Sequence, residues 1–302
     1  MRQTVPHIVQ YQGSKRKLAN QILRHMPRRF ERLIEPFSGM AAISIAVAYR
    51  NMADSFIIND INPDIVSILQ SAIETPEELI SSYLSLWNEQ FTYDGGSEAH
   101  FYKVRDDFNK GDKKACAMLY LLARCVKGSV RYNSAGEFNQ SPDKRRNGTS
   151  PESLSFNVRS ISNILKGKTS FYSKDFRDIL EMAQKGDIVY MDPPYQGVSN
   201  VKDHRYIAGL SFDEFVAALE NLNKRNIDYI ISYDGSLGSK KYGQDLPDFL
   251  GLTRYDLNAG LSTQALYLGK KLDTFEALYV SSGLLPYFKT ESGCLQRQME
   301  FE

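Results

Sequence analysis

Residues 33–47 read LIEPFSGMAAISIAV, an apolar strand pattern that ends in a proline and glycine turn and continues as an apolar helix. Residues 55–72, SFIINDINPDIVSILQSA, repeat this order, with Pro63 at the first position of the helix. Strands that alternate with helices in this way are typical of a doubly wound, mostly parallel sheet. The two units therefore predict an α/β fold.

The alternation resumes after a long interruption. Later strands are predicted at residues 170–173, 188–191, 228–232 and 275–281, with a helix at 176–184. The interruption contains helical patterns at residues 76–90, 98–108, 113–127 and 156–166. We predict that residues 76–165 form an inserted, mostly helical domain, and that residues 1–75 and 166–302 form one discontinuous catalytic domain.

The charge of the chain is small in sum and uneven in distribution. The 302 residues have a net charge of +1. Residues 1–50 carry nine Lys/Arg and two Glu, residues 101–170 carry fourteen Lys/Arg and six Asp/Glu, and residues 171–250 carry nine basic and thirteen acidic residues. This distribution fits a polyanion bound along one face, and solvated helix faces explain it equally well.

The positions of the cysteines and histidines indicate whether the protein binds a metal and in which redox compartment it works. Three cysteines (Cys116, Cys125, Cys294) and four scattered histidines lack the spacing of metal ligands or disulfides, which favours a metal-free protein in a reducing compartment. No run approaches the roughly 18 apolar residues of a membrane span. The beginning of the chain lacks the apolar core of a signal peptide. We therefore expect a cytoplasmic protein without a membrane or metal partner.

The most specific motif is Asp192-Pro193-Pro194-Tyr195, which follows the predicted strand DIVYM. Carboxyl ends of strands form the ligand-binding edge of an open α/β sheet. A carboxylate, two rigid prolines and an aromatic ring at this edge match the chemical need of methylating adenine. The exocyclic amine of adenine is a poor nucleophile because its lone pair is delocalised into the ring. Hydrogen bonds to the Asp192 carboxylate and the Pro193 carbonyl would localise that lone pair, and Tyr195 would stack on the base. The alternative is a proline-rich turn in which Asp192 caps a helix.

The turn Glu35-Pro36-Phe37-Ser38-Gly39-Met40 is a candidate nucleoside site. Gly39 would let the backbone approach a ligand closely, and the turn lacks the G-x-G-x-x-G pattern of nicotinamide cofactors. Asp60 follows the second strand, where an acid accepts hydrogen bonds from ribose hydroxyls. An ordinary strand–helix turn, and an Asp60 that only caps the next helix, are the alternatives.

Two further segments are weaker candidates for cofactor contacts. In Tyr11-Gln12-Gly13-Ser14-Lys15, the aromatic ring and the lysine can grip a ligand that carries a carboxylate, although Ser14 can equally be a helix cap. Asp175 and Phe176 follow the third strand and can either contact an adenine ring or simply begin a helix.

In this order, YQGSK, EPFSGM, NDIN, RYNSAGEFN and DPPY resemble the Dam-type DNA adenine methyltransferases, the α-group of the D12 class. The resemblance extends from residue 11 to about residue 283. It implies a Rossmann-like methyltransferase fold, S-adenosylmethionine as methyl donor, and double-stranded DNA with a flipped-out adenine as substrate. It assigns the cofactor to Tyr11, Lys15 and Asp60, both donor and adenine to Asp192, and base stacking to Tyr195.

The insertion is predicted to read the DNA sequence. Arginine and lysine on a hairpin can reach guanine edges, whereas a flexible basic run usually contacts phosphates. The residues predicted to contact DNA are Arg124, Lys127, Arg131, Asn133, Lys144, Arg145 and Arg146. Alternatively, Arg124 and Arg131 pair with acids such as Glu137 and only hold the hairpin together. The chain departs from the family pattern at two places. Ala41 stands where the family often has a second glycine, which leaves open how this loop contacts the cofactor, and the turn CVKGSV leaves the target sequence open.

The predicted reaction is direct transfer of the methyl group to adenine N6, because no cysteine lies in a motif suited to attack a base. Methylation of cytosine N4 is the nearest alternative. Methylation of RNA or of a protein glutamine is usually associated with asparagine in place of Asp192, and an inactive DNA-binding scaffold is a further alternative. A cognate restriction endonuclease is a potential partner, and the oligomeric state stays open.

Overall fold

Eight strands form one sheet in the described part of the chain. The computed structural model describes residues 4–194, 210–237, 240–241, 244–261 and 273–287. The strands are β1 (Phe30–Glu35), β2 (Ala53–Asn59), β3 (Thr169–Tyr172), β4 (Asp187–Met191), β5 (Asp228–Leu237), β6 (Lys240–Lys241), β7 (Thr253–Leu261) and β8 (Asp273–Val280).

The order of the strands creates a crevice in the sheet. The order is β3-β2-β1-β4-β5-β8-β7, with β6 paired to β5. Strands β1 to β5 are parallel, whereas β8 is antiparallel to both β5 and β7. The chain winds outward from β1 to β3 and then returns to β4, so the direction of winding reverses between β1 and β4. Open α/β sheets bind ligands at such a reversal, beyond the carboxyl ends of the strands. The predicted doubly wound, mostly parallel α/β sheet is confirmed.

Helices cover both faces of the sheet. Successive strand residues belong to different buried clusters, as Leu33 packs on one face and Ile34 on the other. All five residues of β4 are buried, as expected for a strand covered on both faces. The helices are α1 (Ala19–Ile22), α2 (Ala42–Tyr49), α3 (Pro63–Glu74), α4 (Pro76–Glu89), α5 (Gly96–Asn109), α6 (Ala115–Arg124), α7 (Pro151–Leu165), α8 (Phe176–Glu181) and α9 (Phe212–Lys224).

The predicted insertion consists of α4 to α7 and lies between α3 and β3. Helix α7 packs against α3 and α4, and Leu79 and Leu154 belong to the same buried cluster as Ile58 of the sheet. The apolar core therefore runs from the sheet into the insertion without a break. The division into catalytic and recognition domains stays a prediction about function.

Between α6 and α7, residues 131–139 form a hairpin. Tyr132 and Phe138 form an antiparallel bridge, and Phe138 is buried. Among the helices that the structure describes, none is long and apolar enough to cross a membrane.

Candidate active site

A cavity lies where the carboxyl ends of β1 and β4 meet. Its walls come from three segments, residues 11–15, residues 35–42 and residues 190–194. Three of the motifs selected from the sequence, which are far apart along the chain, therefore meet at one place. Tyr195 lies outside the described residues, so its predicted stacking role stays a prediction.

Lys15 is held between two carboxylates. Its Nζ lies 2.8 Å from Asp192 Oδ1 and 3.4 Å from Oε2 of Glu276, and only 4% of its side chain is exposed. Burial raises the pKa of Asp192 to about 6, against the opposing effect of the Lys15 ammonium. Glu276 comes from β8 and was not selected from the sequence. The ammonium of Lys15 thus already has two anionic partners within the protein.

Glu35 is a buried acid at the end of β1. Its Oε2 accepts hydrogen bonds from the Ser44 backbone N–H at 3.0 Å and from the Ser44 hydroxyl, near the start of α2. Burial raises the pKa of Glu35 to about 8, although both hydrogen bonds oppose the shift. At neutral pH the Glu35 side chain is therefore mostly protonated, and it ties β1 to α2 beneath the cavity.

Asp60 joins two loops beside the cavity. Its Oδ2 accepts from the Gly39 N–H at 2.9 Å, and its Oδ1 accepts from the Asn62 N–H at 2.9 Å. Burial raises the pKa of Asp60, and these two hydrogen bonds oppose that change. Each carboxylate oxygen keeps an acceptor site, because an ionised oxygen can accept more than one hydrogen bond.

The glycine turn is shaped by a neighbouring side chain. Gly39 has φ +48°, and a Cβ at this position would lie 2.9 Å from the Tyr11 ring. Gly39 therefore allows the close approach of Tyr11. Ala41, which replaces a glycine of the family pattern, adopts φ +52° and is fully buried. This left-handed conformation costs an alanine about 1–2 kcal/mol.

The remaining cofactor candidates are Pro36, Phe37, Asp175 and Phe176, and their contacts differ. Phe37 lines it, and the Phe176 ring packs behind Phe37 with 5.2 Å between the ring centroids. Asp175 caps α8 by accepting from the Arg177 N–H at 2.9 Å and also pairs with the Arg177 guanidinium. Asp175 therefore acts as a helix start, which was the alternative to a cofactor contact. The Pro36 carbonyl accepts from the Asn59 side chain at 2.9 Å.

The prediction that Arg124 reads a base is wrong. Its side chain is 2% exposed. The guanidinium donates to the carbonyl oxygens of Arg146 and Ser97 and to Asn147 Oδ1. These bonds fasten the loop after the hairpin to the helices. Arg124 is thus structural, but its partners are carbonyl groups rather than the acid that the alternative proposed.

The Asn133 side chain also forms its hydrogen bonds within the protein. Its Oδ1 accepts from the backbone N–H groups of Ala135 and Glu137, and its Nδ2 donates to Glu137 Oε2 at 2.8 Å. The side chain closes the hairpin turn, so the structure does not support its predicted base contact. Glu137 thus pairs with Asn133, whereas the alternative interpretation paired it with an arginine.

The other predicted DNA contacts lie at the surface. Lys127 and Arg131 are exposed. Their neighbours in the following loop also have accessible side chains, with exposed fractions of 75% for Lys144, 87% for Arg145 and 49% for Arg146. Each of these three forms an ion pair, with Glu98 for Lys144 and with Asp143 for the two arginines.

The turn before the hairpin rests on the wall of the cavity. The Gln12 N–H donates to the Gly128 carbonyl at 2.8 Å. Arg146 also donates to the side chain of Gln10 at 2.9 Å. The insertion and the Tyr11–Lys15 segment are therefore in direct contact, which places the exposed cations of the insertion beside the cavity.

A second cavity shares Tyr11, Ser14, Met40 and Ala42 with the first. Arg16 and Lys17 form its charged part, and both side chains are exposed. These cations were not selected individually from the sequence, although they belong to the basic excess of residues 1–50. Across the residues with assigned positions, no three His, Cys, Asp or Glu side chains gather as metal ligands would.

Comparison with known proteins identifies one family and several relatives. A family model described as D12 class N6 adenine-specific DNA methyltransferase matches residues 11–261. The DNA N-6-adenine-methyltransferase of Escherichia phage P1 is 28% identical over 240 residues, which are 76% of this chain and 30% of the phage protein. The Retron Ec67 DNA adenine methylase of Escherichia coli is 30% identical over 195 residues, which are 63% of this chain and 64% of that protein.

A further relative matches along nearly its whole length. The DNA adenine methylase of Escherichia coli (strain K12) is 25% identical over 279 residues, which are 90% of this chain and 94% of that protein. The matched part of this chain thus spans less than two thirds of the first two relatives and nearly all of the third.

Proposed function

The chain belongs to the D12 class N6 adenine-specific DNA methyltransferase family, and from that premise we propose that it methylates N6 of adenine in double-stranded DNA. The methyl donor in this proposal is S-adenosylmethionine. The observation that carries the proposal is the position of Asp192, whose carboxylate lines the cavity at the reversal of the sheet beside Lys15.

The residues around the cavity fit the parts of the proposed donor. Phe37 offers an aromatic surface for the adenine ring, and Asp60 retains acceptor sites for ribose hydroxyls. S-adenosylmethionine supplies an electrophilic methyl group on a positively charged sulfur. Lys15 was predicted to grip the donor's carboxylate, but its pairing with Asp192 and Glu276 supports a different role. We propose that Lys15 positions the Asp192 carboxylate.

Asp192 acts on the amine in the proposed mechanism. Its carboxylate, together with the Pro193 carbonyl, accepts hydrogen bonds from the adenine amine and localises the nitrogen lone pair for in-line attack. The cavity lies at the edge of the sheet, and an adenine stacked within a duplex cannot reach it. The target base therefore leaves the helix in this proposal, as in other enzymes that act on bases.

The direct test is methylation of a duplex DNA library by the purified protein with S-adenosylmethionine, followed by sequencing that distinguishes N6-methyladenine from N4-methylcytosine. We expect N6-methyladenine within one short sequence context. Methylation of cytosine alone, or cofactor binding without methylation of any DNA, would contradict the proposal. A cognate endonuclease stays a prediction that this test does not address.

Asp60→Ala is expected to lower the affinity for S-adenosylmethionine about tenfold or more. The variant loses an acceptor for the ribose and the hydrogen bond that holds Gly39, and a lost buried partner costs about 1–3 kcal/mol. Calorimetric titration measures the change, and thermal unfolding establishes that the variant folds. Asp175→Ala is the control, because the Asp175 carboxylate caps α8. Equal affinities of the Asp60 variant and the wild type would show that the ribose site is elsewhere.

We also propose that duplex DNA crosses the face formed by the hairpin, the loop at residues 143–146 and the second cavity. Lys127 and Arg131 remain the candidates that read base edges. The exposed Arg16 and Lys17 lie beside the methyl-transfer site and would contact phosphates.

The double variant Arg16→Ala/Lys17→Ala is expected to flatten the salt dependence of DNA binding. Each phosphate contact contributes about 0.9 to the slope of log K against log salt, so the slope should decrease by up to about 2. Fluorescence anisotropy at several salt concentrations measures it. Lys168→Ala/Lys185→Ala removes the same charge from exposed sites just before β3 and β4, at the opposite edge of the sheet. Equal slopes for both double variants would contradict this path for the DNA.

A further inference from the structure

Among the described residues, Glu276 is a charged neighbour of Lys15 to which the proposed mechanism gives no part. We infer that Glu276 makes the cofactor site prefer the sulfonium donor S-adenosylmethionine over its uncharged product S-adenosylhomocysteine. This inference rests on the proposed function and assigns the residue that separates donor from product.

The position of Glu276 places its charge beside the cavity. Strand β8 pairs with β5, and β5 pairs with β4, which ends just before Asp192. Glu276 lies opposite Leu257 of β7, and Leu257 belongs to the buried cluster that also contains Tyr190. Tyr190 lines the cavity. Glu276 thus projects from the sheet on the face that carries the cavity.

The carboxylate of Glu276 lies too far from Lys15 for a short hydrogen bond. Its Oε2 is 3.4 Å from Lys15 Nζ and, within the described residues, is a buried oxygen without a hydrogen-bond partner. A buried polar atom of this kind carries a cost in solvation. Glu276 therefore contributes to the site mainly through its negative charge and only to a lesser extent through hydrogen bonds.

The charges of the group do not cancel. Lys15 carries one positive charge, whereas Asp192 and Glu276 each carry one negative charge when ionised, so the group has a net charge of −1. Without Glu276, Lys15 and Asp192 would form a neutral pair. The net negative charge is thus due to Glu276, while Lys15 keeps Asp192 in place.

The methyl donor and its product differ in charge at a single atom. As the amine lone pair forms the new N–C bond, the S–C bond breaks and its electron pair returns to sulfur, which becomes an uncharged thioether. The positive charge passes to the amine nitrogen and then leaves as a proton. The amino and carboxylate groups of the cofactor are the same before and after transfer. A negative charge near the sulfur therefore attracts the donor and does not attract the product.

The size of the effect follows from Coulomb's law. At an effective dielectric constant of about 20, one unit charge roughly 10 Å from a cation changes its affinity by about tenfold. Exposure of a quarter of the Glu276 side chain reduces this effect by solvent screening. We therefore expect a change of about fivefold to tenfold in the preference for the donor.

The experiment is calorimetric titration of the full chain with S-adenosylmethionine and with S-adenosylhomocysteine, in the absence of DNA. Glu276→Gln keeps the shape of the side chain and removes its charge. We expect the variant to bind S-adenosylmethionine about fivefold to tenfold more weakly than the wild type, while its affinity for S-adenosylhomocysteine changes less than about twofold.

Asp256→Asn is the matched control. Asp256 lies on the adjacent strand β7 opposite Ala277, a residue of the buried cluster on the other face of the sheet. The substitution removes the same negative charge one strand away, on the face of the sheet opposite to Glu276, where Asp256 pairs with Arg254. We expect this variant to retain the donor preference of the wild type.

The alternative outcomes separate the inference from the function on which it rests. An equal loss of affinity for both ligands would mean that Glu276 only maintains the shape of the pocket, and no loss for either would mean that its charge is screened. Either result overturns the inference. If the wild-type protein binds neither ligand, the proposed cofactor itself is wrong.

Discussion

We expect Asp192→Ala to abolish methyl transfer while the variant still folds and binds duplex DNA. This is the largest effect among our predictions. Asp192 acts on the amine in the reacting geometry, whereas phosphate contacts supply most of the affinity for DNA. The substitution leaves Lys15 with Glu276 as an anionic partner, so it does not strand an unpaired buried ammonium. The fold should therefore tolerate it.

Single-turnover methylation measures the loss, and anisotropy at constant salt measures DNA binding. Asp192→Asn provides a comparison, because it keeps one acceptor oxygen and removes the charge. We expect it to lose most of its activity as well, since the charged oxygen is the stronger acceptor for the amine. An alanine variant that retained most of its turnover would disprove the role given to this carboxylate.

The raised pKa of Asp192 sets the pH dependence of the same step. Burial raises that pKa to about 6, and the proposed mechanism needs the ionised carboxylate. Turnover should consequently be full well above pH 6 and fall as the pH decreases through about 6. A rate that stays constant down to about pH 4.5 would mean that Asp192 keeps an ordinary pKa or is not needed in ionised form.

Glu35→Gln is expected to remove a pH dependence from the stability of the fold. The folded protein raises the pKa of Glu35 from 4.5 to about 8, so between these values the folded state holds a proton that the unfolded state has released. The contribution of this proton to the free energy of unfolding is fully present below pH 4.5, the pKa in the unfolded state. It is lost as the pH rises through about 8, the pKa in the folded state. The loss amounts to a few kcal/mol, because each tenfold change in proton affinity corresponds to about 1.4 kcal/mol.

Urea unfolding between about pH 5 and 8 measures this dependence. Glutamine mimics the protonated acid and can still accept from Ser44, so the variant should lose less stability than the wild type as the pH rises. Glu31→Gln removes an exposed carboxylate from the same strand and serves as the control. Equal pH profiles for the wild type and the Glu35 variant would contradict a protonated Glu35.

The strands that carry the site could be predicted because their signals are local. Strands β1, β2 and β4 contain apolar runs that lead into the acids Glu35, Asp60 and Asp192. Glu35 and Asp192 line the cavity, and Asp60 holds Gly39 beside it. Strand β7 was not predicted, because TRYDLNAGL interrupts its apolar positions with charged residues and a glycine. Helix α9 was also missed, although Phe215, Leu219 and Leu222 are buried at helical spacing.

The roles of two residues, Glu276 at the site and Arg124 in the insertion, depend on contacts that no local pattern contains. Glu276 is an isolated acid within the strand sequence DTFEALYV, and its importance comes from Lys15 at the other end of the chain. Arg124 belongs to a basic, turn-rich segment, which is typical of DNA contacts. Its burial depends on where the loop after the hairpin returns, and the sequence of that segment alone does not specify this.

The turn at Gly128 limits how the segment between α6 and α7 can be exchanged between related proteins. Gly128 has φ +58°, and a Cβ there would lie 2.3 Å from the Gln10 carbonyl oxygen, so a larger residue would push the insertion off the cavity wall. The bonds from Arg124 to the loop at residues 146–147 set the second limit. A chimera that takes residues 129–142 from a donor protein must therefore keep Gly128 and Arg124. The donor segment must also supply a tyrosine that bonds to Asp64, as Tyr132 does, and a buried aromatic residue in place of Phe138.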